Sequence, residues 1–266
     1  MLIAPKLEPS VERLELFSFP VDTFDRRTLL DFINSRLSLQ KKTIIAHLNL
    51  HGLKCLLTYP RMAAFANRPE TYVHIDGMPI VWLLKIKGAA VSRDNRLTYL
   101  DWAEELLSLA QVHKWSVAYI GSSTEVCSRA VRFFSDKYPG LNIRGWDGYF
   151  DMGDTNPGSK LSTTIDEVNG FQPDLLMVGM GMPRQEIFVH EYFDQLDFKV
   201  GFCCGAFFEY FVGGQALPPR WTGRFGVEWL YRLARNPARY AHRYLVEPFQ
   251  LIGLLLRKRF SFRDRG

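Results

Sequence analysis

Short apolar runs alternate along this chain with longer stretches whose apolar residues repeat every three to four positions. Thr43–Leu48, with its β-branched residues, and residues 72–75, 115–120, 141–144, 173–178 and 199–203 read as strands. Their near-continuous apolar character is that of strands covered on both faces, as parallel strands are. The intervening stretches have the period of a helix buried along one side. Thr98 and Asp101 form a T-x-x-D capping box ahead of the amphipathic run 102–112 and predict a helix start there. Strand and helix patterns alternate from about residue 43 to 211. That predicts an α/β fold: a doubly wound, mostly parallel, Rossmann-like sheet with right-handed crossovers.

Finer expectations follow from the punctuation. The Pro-bearing residues 1–20 read as an irregular arm or an edge strand, and a first helix is expected from about Thr23. One helix should follow Asn49, up to about Asn67, and another should cover 78–86. Ser122 and Glu125 fit a capping box, although Gly121-Ser122-Ser123 between strand and helix equally suits an anion, because the first helical amides point outward unpaired. Residues 151–158 are loop, with a helix to about Val168. Pro183 suits the first position of the next helix.

The strand ends form a candidate rim: Asn49, Asp76, Gly121, Tyr149, Gly179 and Gly205. In open α/β sheets ligands bind beyond the carboxyl ends of the strands. Asp76, in an Asp-Gly turn after residues 72–75, is a candidate general base, while an Asp-Gly pair also describes an ordinary surface turn. Arg96, twenty residues on, is a fixed positive charge suited to a phosphate. Gly179-x-Gly181 is not the dinucleotide fingerprint, since Arg184 stands where its third glycine belongs, which excludes a nicotinamide dehydrogenase.

Charge separates the chain into two parts. Residues 220–266 hold 11 Lys and Arg against 3 Asp and Glu, a net of +8, which leaves −3 of the whole-chain +5 for residues 1–219. The expected organisation is therefore a Rossmann-like domain over 1–219 and a basic helical appendage over 220–266. Arg232, Arg235, Arg239 and Arg243 lie on one helical stripe that Pro237 interrupts or bends. Beyond it, the apolar run 249–256 precedes Arg257-Lys258-Arg259, the pattern of a helix lying in the interface of an anionic membrane surface. No apolar run approaches the ~20 residues of a spanning helix, and the N-terminal stretch lacks a signal-peptide pattern. Cysteines 55, 127, 203 and 204 show no metal-ligand spacing, in keeping with a reducing cytosol. Nucleic-acid binding finds no recognised motif.

Taken together, Leu48-Asn49, Asp76-Gly77, Arg96-x-Thr98-x-x-Asp101, Gly148-Tyr149-Phe150, Gly179-x-Gly181-x-Pro183-Arg184-Gln185-Glu186 and the run 228–233 (EWLYRL) resemble the WecG/TagA/CpsF family of bacterial glycosyltransferases. The resemblance spans the chain from about Thr43. It implies an inverting transfer of a hexose or N-acetylhexosamine from a nucleotide-sugar donor, a UDP-sugar, to a polyprenyl-diphosphate-linked acceptor. Such enzymes work without metal or other cofactor, peripherally on the cytoplasmic face of the membrane, and a homo-oligomer is compatible with the type. The chain has no D-x-D metal-diphosphate motif, so cations must take the departing diphosphate.

By the resemblance, Asp76 is the base, and Asn49, Arg96 and Gln185 line the sugar pocket. His47, Gly121, Tyr149, Gly181 and Glu209 join the substrate contacts, and Arg232 and Arg239, with Arg243 nearby, close on the diphosphate. His47 stands where many members have Thr, Glu209 where Asp is usual, and Pro218-Pro219-Arg220 in place of Arg-Ala-Pro. A non-catalytic, membrane-docked protein that binds nucleotide sugars or polyprenyl phosphates is the competing reading.

Overall fold

A computed structural model describes residues 11–213 and 217–263, without the side chains of residues 220, 224, 225, 239 and 258–263. The described chain opens with an antiparallel hairpin, β1 (Glu12–Leu16) and β2 (Phe19–Thr23). Then follow α1 (Arg26–Ser38), β3 (Thr43–Leu48), α2 (Leu50–Thr58), α3 (Pro60–Ala66), β4 (Thr71–Ile75), α4 (Met78–Ile86) and α5 (Tyr99–His113). The second half of the body is β5 (Ser116–Gly121), α6 (Thr124–Lys137), β6 (Asn142–Trp146), α7 (Lys160–Phe171), β7 (Leu175–Gly179), α8 (Arg184–Glu191), β8 (Val200–Cys203) and α9 (Phe207–Phe211).

Strands β3 to β8 make one parallel sheet in the order β4-β3-β8-β7-β5-β6. Alternate residues of each strand face opposite sides. Ile44, Ala46 and Leu48 pack with Leu53, Phe65, Ile80 and Phe188 on one side. Ile45, Val117 and Phe202 pack with Leu29, Trp102, Phe134 and Phe207 on the other. The doubly wound, parallel α/β expectation therefore holds. The chain leaves β4 at one edge and re-enters at β5, and β7 and β8 later fill the middle. Connections diverge on either side of these central strands, which opens a crevice above their carboxyl ends.

Tertiary contacts corrected several local expectations. Of the stretch expected to be an arm or an edge strand, residues 1–10 lie outside the described residues and 12–23 form strands, paired as the β1–β2 hairpin; the first helix starts at Arg26 under an Asp25 cap, not at Thr23. The hairpin covers the edge strand β4. Asp22, 1% exposed, accepts from the Val73 amide at 2.7 Å and pairs with Arg13, whose Nη2 donates to the Thr71 carbonyl at 2.8 Å. Burial raises the Asp22 pKa against the pull of Arg13. Polar groups of an edge strand left open would invite another strand. Pro60 divides the helix expected after Asn49 into α2 and α3. Ser123, not Ser122, caps α6, and Pro183 lies one position before α8.

The chain continues past the sheet as α10 (Arg220–Phe225), α11 (Glu228–Arg235), α12 (Pro237–Ala241), a π-type turn His242–Val246 and α13 (Glu247–Arg263). Leu251 of α13 is buried in the same apolar cluster as α2 and α4. No helix among the described residues is long and apolar enough to cross a membrane.

His74 of β4 is wholly buried between His47, Tyr99 and Trp102, and its ring nitrogens make no well-formed hydrogen bond. Burial, helped by the charge of His47, pushes its pKa down to about 4. In the unfolded chain the ring takes up its proton near pH ~6.5. Between those values only the unfolded state gains the proton, so stability is full above pH ~6.5 and falls as the pH drops towards 4. The loss from this group is expected to reach about 3 kcal/mol. Urea unfolding of His74→Phe, which keeps an aromatic ring in the cluster, should show a clearly shallower loss between pH 7 and 4.5 than the unsubstituted chain. Equal slopes would remove His74 as the cause.

Candidate active site

Two loops at the carboxyl ends of β3 and β4 hold the central pair. Asn49 caps α2: its Oδ1 accepts from the Gly52 amide at 3.0 Å, which turns its Nδ2 towards Asp76 Oδ2 at 2.8 Å. The cap thus dictates which end of the amide meets the carboxylate. The Asp76 amide donates to the Leu48 carbonyl at 2.9 Å, and the Leu97 amide donates to the Ile75 carbonyl at 2.7 Å. The second bond brings Arg96 alongside the turn.

Burial by itself would raise the Asp76 pKa. The charge of His47 in the acid range, the Asn49 hydrogen bond and the charges of Arg96 and Arg232 outweigh it, and the pKa falls below that of an ordinary aspartate. Asp76 is therefore a carboxylate at neutral pH, a half-buried proton acceptor with its side chain 21% exposed. His47 Nδ1 is 2.9 Å from the Cys203 carbonyl, so the ring donates there and leaves Nε2 facing Asp76 Oδ2 at 3.9 Å. Burial lowers the His47 pKa, which keeps the ring neutral near pH 7.

Two connected cavities meet at Asp76. One, of about 370 Å³, is polar and lies over β7 and β8, between His47, Thr98, Gly181, Gln185, Gly205 and Tyr210. The other, of about 240 Å³, is largely apolar, between Leu50, Met78, Pro79, Trp229, Tyr244 and Pro248. Asn49, His51, Asp76, Arg232 and Arg243 border both.

The cations at this junction come from the tail. Arg232, on α11, lies with its guanidinium 5.5 Å from the Tyr210 ring centre, and its buried Nε has no partner. Arg243, in the π-type turn, reaches Asn49 Oδ1 at 3.4 Å. The stripe expected from spacing breaks at Asn236-Pro237, and Arg235 turns outward onto Tyr231. The Arg239 side chain lies outside the described residues.

Gln185, fully buried at the start of α8, ties two glycine loops together. Its Oε1 accepts from the Gly205 amide at 3.0 Å and the Gly181 amide at 3.2 Å, while its Nε2 donates to Glu186 Oε1 at 2.7 Å. Both glycines have positive φ, +55° and +78°, which other residues resist. Burial raises the Glu186 pKa to about 7. Arg96 lines the apolar cavity, but its Nη2 donates to Glu228 Oε2 of α11 at 2.6 Å and its Nη1 lies 3.9 Å from Asp101.

Three expected contacts lie away from the cavities. Gly121 is buried against β7, where a Cβ would meet the Gly179 carbonyl at 2.6 Å. Tyr149 is 72% exposed. Glu209 accepts from Ser122 Oγ at 3.0 Å, and Ser122 is also 2.9 Å from the Tyr119 hydroxyl. This tertiary chain, with Ser122 at φ +57°, is why Ser122 does not cap α6.

Sequence reasoning missed His51, Glu228 and Glu247. His51 Nδ1 pairs with Glu247 Oε2 at 2.7 Å and Lys54 Nζ lies 3.3 Å from Glu247 Oε1, which pins α13 to α2. The only local signal for His51 is its place two residues into a helix capped by Asn49.

An ionised aspartate and two arginines stand between a polar and an apolar cavity beyond the carboxyl ends of a doubly wound sheet, an arrangement chemically suited to group transfer on an anionic substrate. The comparisons name the class: the profile of the Glycosyl transferase WecG/TagA/CpsF family matches residues 14–265, and the chain belongs to that family and is a glycosyltransferase. It is 29% identical over 203 residues to an N-acetylglucosaminyldiphosphoundecaprenol N-acetyl-beta-D-mannosaminyltransferase of Bacillus spizizenii, covering 76% of this chain and 74% of that protein. A Staphylococcus aureus protein of the same name is 24% identical over 218 residues, covering 79% and 80%.

Gln185→Leu is expected to leave the Gly181 and Gly205 amides without their acceptor. At ~0.5–1.5 kcal/mol for each of these part-buried hydrogen bonds, it should lower the unfolding free energy by at least ~1 kcal/mol in urea. A loss under ~0.5 kcal/mol would show that the two loops hold themselves.

Proposed function

We propose that this protein transfers a hexose or N-acetylhexosamine from a UDP-sugar to a polyprenyl-diphosphate-linked sugar, with inversion and without a metal. The names of its relatives favour an N-acetylmannosaminyl donor and an N-acetylglucosaminyl-diphosphoundecaprenol acceptor. The observation that carries the reading is the ionised Asp76 at the meeting point of the two cavities, with Arg232 and Arg243 beside it.

The donor occupies the polar cavity, with its sugar by Asn49 and Asp76 and its diphosphate towards Arg232 and Arg243. The acceptor enters through the apolar cavity, whose walls suit the lipid side of the molecule. Asp76 takes the proton of the acceptor hydroxyl as that oxygen bonds to the anomeric carbon. The bond from that carbon to the diphosphate breaks, and UDP leaves with the electron pair, its growing charge met by the arginines. Asn49 holds Asp76 in place through the 2.8 Å hydrogen bond. The protein works peripherally at the cytoplasmic face of the membrane, held there by the apolar and basic end of its tail.

Binding of nucleotide sugars without catalysis is the rival reading, and Asp76→Asn separates the two. The substitution is expected to preserve folding and donor binding and to lower transfer by ~10²-fold or more, measured as UDP release across a panel of UDP-sugars with the lipid-linked acceptor. Transfer within threefold of the unsubstituted enzyme would rule out Asp76 as the base.

The arginines make a second expectation. Turnover should survive a chelator unchanged, whereas Arg232→Ala should cut it by ~10²–10³-fold, the scale of one lost transition-state donor. Loss of activity in chelator, restored by magnesium or manganese, would show that a metal takes the diphosphate instead.

A further inference from the structure

α4 buries Ile80, Val81 and Leu84 against the sheet and turns Trp82 and Ile86, four residues apart on one face, outward at 57% and 82% exposure. Exposed Lys85 and Lys87 flank them, and no acid occurs from Met78 to Arg93. The same helix supplies Met78 and Pro79 to the wall of the apolar cavity. Across that cavity, Pro248 belongs to α13, which turns Phe249, Ile252 and Leu256 outward at 74%, 53% and 50% exposure while burying Leu251. Two helices thus present apolar stripes beside the two walls of one cavity.

We propose that the outward face of α4, Trp82 and Ile86 with Lys85 and Lys87, is a second membrane-docking surface that inserts into an anionic bilayer beside α13. The site would then sit over the lipid with its apolar cavity opening between the two inserted helices. Trp at the boundary, an aliphatic anchor one turn on and lysines on the flanks match the headgroup region, where each basic residue near an anionic leaflet adds ~1 kcal/mol. A second copy of the chain is the poorer occupant, because a twofold pairing of this face would set Lys85 and Lys87 against their own counterparts. The orientation rests on the acceptor reading above, while the docking itself does not.

The test uses the full chain and vesicles of phosphatidylcholine with and without phosphatidylglycerol. Trp82→Ser/Ile86→Ser, both at exposed positions, is expected to keep its thermal midpoint and to lose about tenfold in affinity for the mixed vesicles. Lys85→Glu/Lys87→Glu should lose a similar amount on mixed vesicles and much less on neutral ones. Turnover of the Trp82/Ile86 variant should fall with a long polyprenyl acceptor in vesicles and stay level with a short, soluble one. Binding of both variants within twofold of the unsubstituted protein would overturn the proposal. So would sedimentation equilibrium in which the Trp82/Ile86 variant changes from dimer to monomer with vesicle binding intact. If no acceptor is turned over by any form, the functional reading fails, and the vesicle measurements still decide the surface.

Discussion

A carboxylate kept ionised inside a protein is expensive, and the arrangement around Asp76 follows from meeting that cost. One hydrogen bond from Asn49 is fixed by a helix cap, so the local fold of β3 and α2 orients it without freedom to turn. The remaining compensation is charge: His47 in the acid range, then Arg96 from the body and Arg232 from the tail. Together with Asn49 they hold Asp76 below the usual aspartate pKa despite its burial.

Because one of those charges belongs to α11, the tail takes part in setting the environment of Asp76. Glu228 meets Arg96, Arg93 donates to the Gly223 carbonyl, and Glu247 meets His51 and Lys54. Each contact joins a residue of the body to one that lies beyond residue 219. Glu228 and Glu247 are two of the three acids of a strongly basic segment, and both face inward. The tail docks through its few acids and offers its arginines to the cavity.

The glycine loops after β7 and β8 show the same economy. Gly181 and Gly205 take left-handed backbone, and Gln185 caps both amides with one carbonyl. The Gly179-x-Gly181 motif serves here to shape the floor of a cavity; Arg184 stands where a nucleotide fingerprint has its third glycine, and the amide of the next residue, Gln185, ties the loop down.

Much of this was readable along the chain. The six strands of the sheet, the intervening helices, the capping box at Thr98 and Asp101 and the rim position of Asn49 and Asp76 all depend on local period and local hydrogen bonding, which neighbouring residues settle among themselves. The motif series also carried the family. Tertiary structure decided what depends on distant partners. The order β4-β3-β8-β7-β5-β6 could not be read, because strand period says that a segment is buried and not which strand lies beside it. The hairpin at residues 12–23 is held by Asp22 against Val73, 51 positions away. Ser122 left its expected cap for Glu209, 87 positions on, and Arg232 reached Asp76 only because the tail folds back over the sheet. Local sequence sets elements and caps within a few residues, whereas charge pairing and burial are summed over the whole fold.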